Sequence, residues 1–178
     1  MALPACLRVL CALGLAWLAA GARAADPAAP QEYALKAAFI YNFALFTTWE
    51  ERADRTISLC VLGRDPFGEA LDALQGREVG AARLAVKRMR NVGETAGACQ
   101  IVFITEAEVD NFIASRNGAR DASGVLTIAD RDGAARQGIM IEMTMEARKI
   151  GFEFNQESAR KCQVQISSKL LRLARKVH

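Results

Sequence analysis

The 178 residues carry 23 Lys and Arg against 20 Asp and Glu, and 52% of them are hydrophobic, enough for one full-sized core. A formal charge of +3 supplies no global field for nucleic acid or an anionic membrane. With a single histidine, the last residue His178, and no zinc-type cysteine spacing, metal-assisted and His-dependent nucleophilic catalysis lack their usual residues.

Residues 1–24 read as a signal peptide. MALPACLR provides one positive charge, Val9–Ala20 a twelve-residue apolar core, and Ala22-Arg23-Ala24 a small-x-small cleavage site. As a helix that core would span about 18 Å, against a hydrocarbon layer of about 30 Å. Cleavage near Ala24 and export are therefore expected. Taking 24 residues from 178 leaves 154, with a charge of +1 once Arg8 and Arg23 are gone.

Residues 25–32 (ADPAAPQE) are expected to form a mobile lead-in to one domain over 33–178. Tyr33–Trp49 is apolar on nearly every side of a helix apart from Lys36 and Asn42, which predicts a central core helix. Its aromatics Phe39, Tyr41, Phe43, Phe46 and Trp49 leave a second reading open, a surface for a partner. From Ile57 the pattern changes to short apolar runs. Strands are predicted at Ile57–Leu62, Leu84–Met89, Cys99–Thr105 and Gly124–Ala129, and helices at Pro66–Leu74 and Glu106–Ser115, with room for a short one between Met89 and Cys99. The alternation predicts an α/β fold in one domain, a mostly parallel sheet with helices on both faces. Gly138–Met145 and Ile150–Asn155 flank Glu146-Ala147-Arg148-Lys149 as a hairpin, and helices at Gln156–Cys162 and Ser168–Val177 follow it.

The stretch GRDPFGEA at 63–70 has the glycine spacing of a phosphate-binding P-loop. After Gly68, however, Glu69 and Ala70 stand where that loop needs Lys and then Ser or Thr. Asp65-Pro66 explains the stretch without a ligand, as an N-cap and a first helical residue. The carboxylate pairs Glu106/Glu108 and Asp130/Asp132 read as solvated helix starts and turns, and His178 as a frayed, solvated side chain. No catalytic constellation, metal set or cofactor site is expected. The loops at Gly63–Phe67, Thr105–Glu108 and Asp130–Gly133 could still form a ligand cleft at the strand ends, the basis of an alternative reading as an exported small-ligand-binding protein.

Three cysteines lie beyond the leader. Cys60 and Cys99 sit in or beside predicted strands, and neighbouring strands lie within disulfide reach, so a structural bridge is expected ahead of a redox pair. Cys162 is open to two readings, a buried inert thiol or an exposed one available for an intermolecular bridge. In SSKLLRLARKVH, Leu170, Leu173, Ala174 and Val177 form one helical stripe. The basic residues around it either complement the helix dipole or dock on an acidic partner.

The order of these pieces resembles the YfiR-like family (the YfiR/HmsC group) of periplasmic repressors. The matching stretches are EYALKAAFIYNFALFTTWE at 32–50, ISLCVLGRDPFGEALDAL at 57–74, CQIVFIT at 99–105, GVLTIAD at 124–130, KIGFEFNQESAR at 149–160 and ISSKLLRLARKV at 166–177. The resemblance implies a periplasmic negative regulator that binds the sensor region of an inner-membrane diguanylate cyclase and represses cyclic-di-GMP synthesis and biofilm formation. An outer-membrane lipoprotein would sequester it, and a homodimer is a further expectation; nucleic acid is not a partner. The family's disulfide carries onto Cys60 and Cys99. The chain departs from some members in lacking residues for a second internal bridge and in placing Cys162 where a small residue is usual. Exposed apolar and basic character nominates Phe43, Phe46, Trp49, Lys169, Leu171, Arg172 and Arg175 as partner-binding residues.

Overall fold

A computed structural model describes residues 28–50, 53–95, 97–116, 123–147 and 149–178. The expected signal peptide, 1–24, lies outside the described residues. The first helix, α1 (Ala28–Leu45), begins five residues ahead of its expected start and takes in part of the expected lead-in, with Pro30 in its first turn, where a missing N–H costs no hydrogen bond. Among the described residues no helix is long and apolar enough to cross a membrane.

The centre of the molecule is an eight-stranded sheet in the order β10-β8-β7-β6-β5-β2-β4-β3. Its parallel heart comprises β2 (Thr56–Leu62), β4 (Ala82–Met89), β5 (Ile101–Ile104), β6 (Leu126–Ala129) and β7 (Ile141–Glu146). Every β5 and β6 residue is buried, as expected of strands covered on both sides. From β2 the chain moves first outward to β4, then back past β2 to β5, β6 and β7. Right-handed crossovers running in opposite directions along a sheet place their helices on opposite faces.

The two apolar layers follow that rule. One face carries α1, α2 (Glu69–Asp72), α4 (Gln156–Lys161) and α5 (Ser168–Leu171) over Leu59, Val61, Ile101, Phe103, Leu126 and Ile128. The other carries α3 (Val109–Arg116), preceded by a 3-10 turn at Glu106–Glu108, over Cys60, Leu62, Val102 and Ile104. Alternate residues of each strand thus serve different layers. The predicted hairpin forms between β7 and β8 (Lys149–Phe154), whose Glu146 and Lys149 pair across the turn.

Short strands missed by the apolar-run reading complete the structure. β3 (Glu78–Val79) covers one edge of the sheet. β1 (Thr47–Thr48) pairs antiparallel with β9 (Gln165–Ile166) in a separate two-stranded sheet. The first helix after β2 also differs from expectation, starting at Glu69 with Gly68 (φ 54°) as its cap. Asp65 accepts the Phe67 N–H at 2.7 Å and holds Arg88, so it makes the turn before the helix and does not cap it. Asp72 joins the same guanidinium, and these carboxylates raise the Arg88 pKa above its ordinary value.

The predicted helix over Ser168–Val177 is one turn only. Ser167 caps it through the Lys169 N–H, but after Leu171 the chain enters β10 (Lys176–Val177), parallel to β8. The Arg175 and His178 N–H groups donate to the Phe152 and Phe154 carbonyls, both at 2.8 Å. An edge of β8 that lacked a partner outcompetes the weak intrinsic drive of a short helix. The stripe breaks as a result, leaving Leu173 69% and Val177 44% exposed while Leu170 stays buried. His178 is correspondingly not frayed. Its Nε2 lies 2.7 Å from Glu153 Oε2, and its carbonyl accepts the Gln156 N–H.

Gly151 of β8 is where the terminal segment crosses the hairpin. A Cβ there would collide with the Arg175 side chain, which reaches over the glycine to Thr144 and Glu146. Gly151→Ala should displace Arg175 and loosen β10, costing about 1–3 kcal/mol. Denaturant unfolding measures the loss, and hydrogen exchange should quicken at the Arg175 and His178 amides.

Candidate functional site

Cys60 and Cys99 form the expected bridge, with Cα atoms 5.9 Å apart. Both are essentially sealed, at 0% and 1% exposure, inside the layer under α3. Cys60 lies beside Val102 in the β2–β5 pairing, and Cys99 sits just before β5, so the bridge ties the entrance of one central strand to the middle of its neighbour. Burial in the core makes this a structural link. Cys162 is buried at the end of α4, 7% exposed, which disposes of the reading as an exposed thiol.

The nominated partner-binding residues fall into three groups. Phe43 is wholly buried, edge-on to Phe152 at 5.1 Å between ring centroids, and therefore belongs to the core and not to a surface. The all-round apolar helix pattern could not show which side of α1 faces the sheet. Phe46 and Trp49 are half-buried, and the Trp49 indole donates to the Ala44 carbonyl at 2.8 Å. They meet the second group through the backbone. The Phe46 carbonyl accepts the Ser167 N–H at 2.8 Å, and Thr47 pairs with Ile166.

That link brings the end of α1 to the start of α5, where Lys169 and Arg172 are exposed and Leu171 is half-buried. Neither Lys169 nor Arg172 has an ion pair among the described residues. Leu45 and Leu173, which sequence reasoning did not nominate, are exposed beside these groups in the chain. Arg175 forms the third group and is already engaged, paired with Glu146 at 2.9 Å. The resulting surface is a basic and apolar strip on α5 and the segment after it, next to two half-buried aromatics.

A second cluster lies at the opposite end of α1, over the C-terminal ends of the parallel strands. Lys36 has only 5% of its side chain exposed and pairs with Asp130, 7% exposed, and with Glu32. The Tyr33 hydroxyl donates to the same Asp130 oxygen at 3.0 Å, and the Lys36 ammonium stands 4.5 Å from the centre of the Tyr33 ring. The sequence pattern presents Asp130 as a solvated turn residue and Lys36 as an interruption of an apolar helix; the structure makes them one buried pair. Glu142, also buried, accepts the Gly133 and Ala135 N–H groups at 2.9 Å and fixes the loop after Asp130. For Lys36 and Glu142 the useful sequence signal was a single charge in otherwise apolar surroundings, since such charges persist only when paired; Asp130, followed by Arg131 and Asp132, carries no such signal.

Burial, and then the negative charge and hydrogen bond of Asp130, push the Tyr33 phenol well above its ordinary pKa. A raised acid pKa favours the fold while the phenol stays protonated, so this contribution holds below pH 10 or so and is lost as alkali rises through the folded value. Alkaline titration of tyrosinate absorbance should show one late-ionising phenol that Tyr33→Phe removes. An ordinary titration of that phenol would contradict the described pairing.

Among the described residues no group of His, Cys, Asp and Glu is arranged to hold a metal ion. Among curated proteins no sequence matches the chain. A solved structure described as a conserved domain protein from Vibrio cholerae O1 biovar El Tor strain N16961 is similar in fold, with a TM-score of 0.53 at 8% identity. The similarity covers 82% of this chain and 60% of the Vibrio protein, so the chain spans less than two thirds of that protein's length. The YfiR/HmsC-like family model, DUF4154, matches residues 33–175, which include every strand of the sheet but β10, the disulfide and the α5 strip. By that match the chain belongs to the YfiR/HmsC-like family.

Proposed function

We propose that this protein is an exported negative regulator that binds the periplasmic sensor region of an inner-membrane diguanylate cyclase and holds cyclic-di-GMP synthesis down. The observation that carries this reading is the family match over most of the chain. The buried disulfide supports it, because such bridges persist in oxidising compartments. The leader-like residues 1–24 agree with the same compartment. Regulation here works by contact: an interface anchored on half-buried aromatics and rimmed by Lys169 and Arg172 favours an acidic partner surface. Sequestration by an outer-membrane lipoprotein would relieve repression by competing for the regulator.

The interface is tested by measuring affinity for the isolated periplasmic region of the cyclase. Lys169→Glu combined with Arg172→Glu should weaken binding about tenfold, mostly through slower association that salt no longer slows further, without changing stability. An unchanged affinity places the contact elsewhere on the molecule. No binding by the wild-type protein removes the regulatory reading.

A further inference from the structure

In open α/β sheets, ligands settle outside the carboxyl ends of the strands where the strand order reverses. Here that point lies between β2 and β5, since the chain leaves β2 for β4 on one side and continues through β5, β6 and β7 on the other. The loops after β2, β5 and β6 and the start of α1 border an open crevice of about 820 Å³ at this place. Gly63 (φ 97°) lets the first two loops close together, because a Cβ there would run into the Thr105 hydroxyl.

The chemistry of the crevice is one-sided. Glu32, Glu106, Glu108 and Asp130 contribute four carboxylates, against the cations of Lys36 and Arg64. Lys36 is already committed to Asp130 and Glu32. At the base, Tyr33 and Lys36 both donate to Asp130 Oδ2, and among the described residues Oδ1 takes no partner. No buried side-chain oxygen in the described structure is sealed off without a partner, so Oδ1 opens onto the crevice. Glu106 is exposed above it, and Glu108 is held by the Asn111 amide through one oxygen only. A carboxylate oxygen set deep in a concave, net-negative site calls for a cation with several donors, which a primary ammonium supplies.

We propose that this crevice binds a small organic cation, a short aliphatic diamine, with one ammonium on Asp130 Oδ1 and Glu106 and the other on Glu108 at the rim. Pro66 and Ala107 provide apolar wall for the intervening methylenes. The site lies at the opposite end of α1 from the α5 strip, and the inference does not depend on the cyclase reading.

Isothermal titration of the full chain with putrescine at low salt tests it. The expected result is saturable binding with a dissociation constant of about 1 mM or tighter. Glu106→Gln with Glu108→Gln should weaken it about tenfold, and Arg64→Ala should strengthen it about twofold by removing a like charge. Succinate should not bind, and magnesium chloride should compete only weakly. Binding that the double Gln variant leaves unchanged, a preference for succinate, weaker binding on Arg64→Ala, equal displacement by magnesium, or no heat at putrescine concentrations of about 10 mM each overturns the proposal.

Discussion

Replacing both bridge cysteines with alanine should lower stability by about 4 kcal/mol, the chain-entropy value for a closed loop of this size. The loop runs across 39 positions and contains β3 and β4, so cutting the bridge frees a quarter-sheet of the unfolded chain to explore. For a domain of this length each kcal/mol corresponds to roughly 2–4 °C in melting temperature, giving a drop of about 8–16 °C. Alanine is the informative choice, because serine would add a hydroxyl to an apolar layer and mix desolvation with loop entropy. A thiol-directed probe should leave Cys60 and Cys99 of the native wild type unmodified even after mild reductant, since neither sulfur is accessible until the chain opens. A double-alanine variant that melts within about 2 °C of wild type would show that the bridge adds little to the fold.

Phe43→Ala should cost about 3–5 kcal/mol, a large part of the roughly 5–15 kcal/mol that holds such a domain together. Phe43 is fully enclosed between Phe39 and Phe152, with ring centroids 6.1 and 5.1 Å away. It is the point at which α1 grips the β7–β8 hairpin, and truncation leaves a cavity that neither sheet nor helix can collapse to fill. Denaturant unfolding should show a lower midpoint with an unchanged slope. If Phe43→Ala weakened partner binding while leaving stability within about 1 kcal/mol, Phe43 would be a contact residue after all.

Much of this fold was legible because burial on both faces writes itself as short apolar runs. ISLCVL and CQIVFIT mark β2 and β5, and the Cys60–Cys99 link follows from their being neighbours. What stayed hidden depends on partners remote in sequence. The KV of β10 has no strand pattern of its own and is a strand only because β8 offers it carbonyls. Lys36 looked like an interruption because Asp130 lies 94 residues away. The side of α1 that faces the sheet could not be read from a helix apolar all round, which is why Phe43 was grouped with the surface aromatics. The meeting of Phe46 with the α5 segment likewise depends on a two-residue pairing that no local rule specifies. The strip proposed to meet a partner was visible as basic and apolar character, but its helical stripe was not the organising feature.

The central claim, repression of a membrane cyclase, is tested most directly by cyclic-di-GMP levels in four strains: wild type, a deletion of this protein, a deletion of the cyclase, and both. Loss of the protein should raise cyclic-di-GMP when the cyclase is intact and leave it unchanged when the cyclase is absent. Unchanged levels in the single deletion, with the cyclase expressed, would contradict the account.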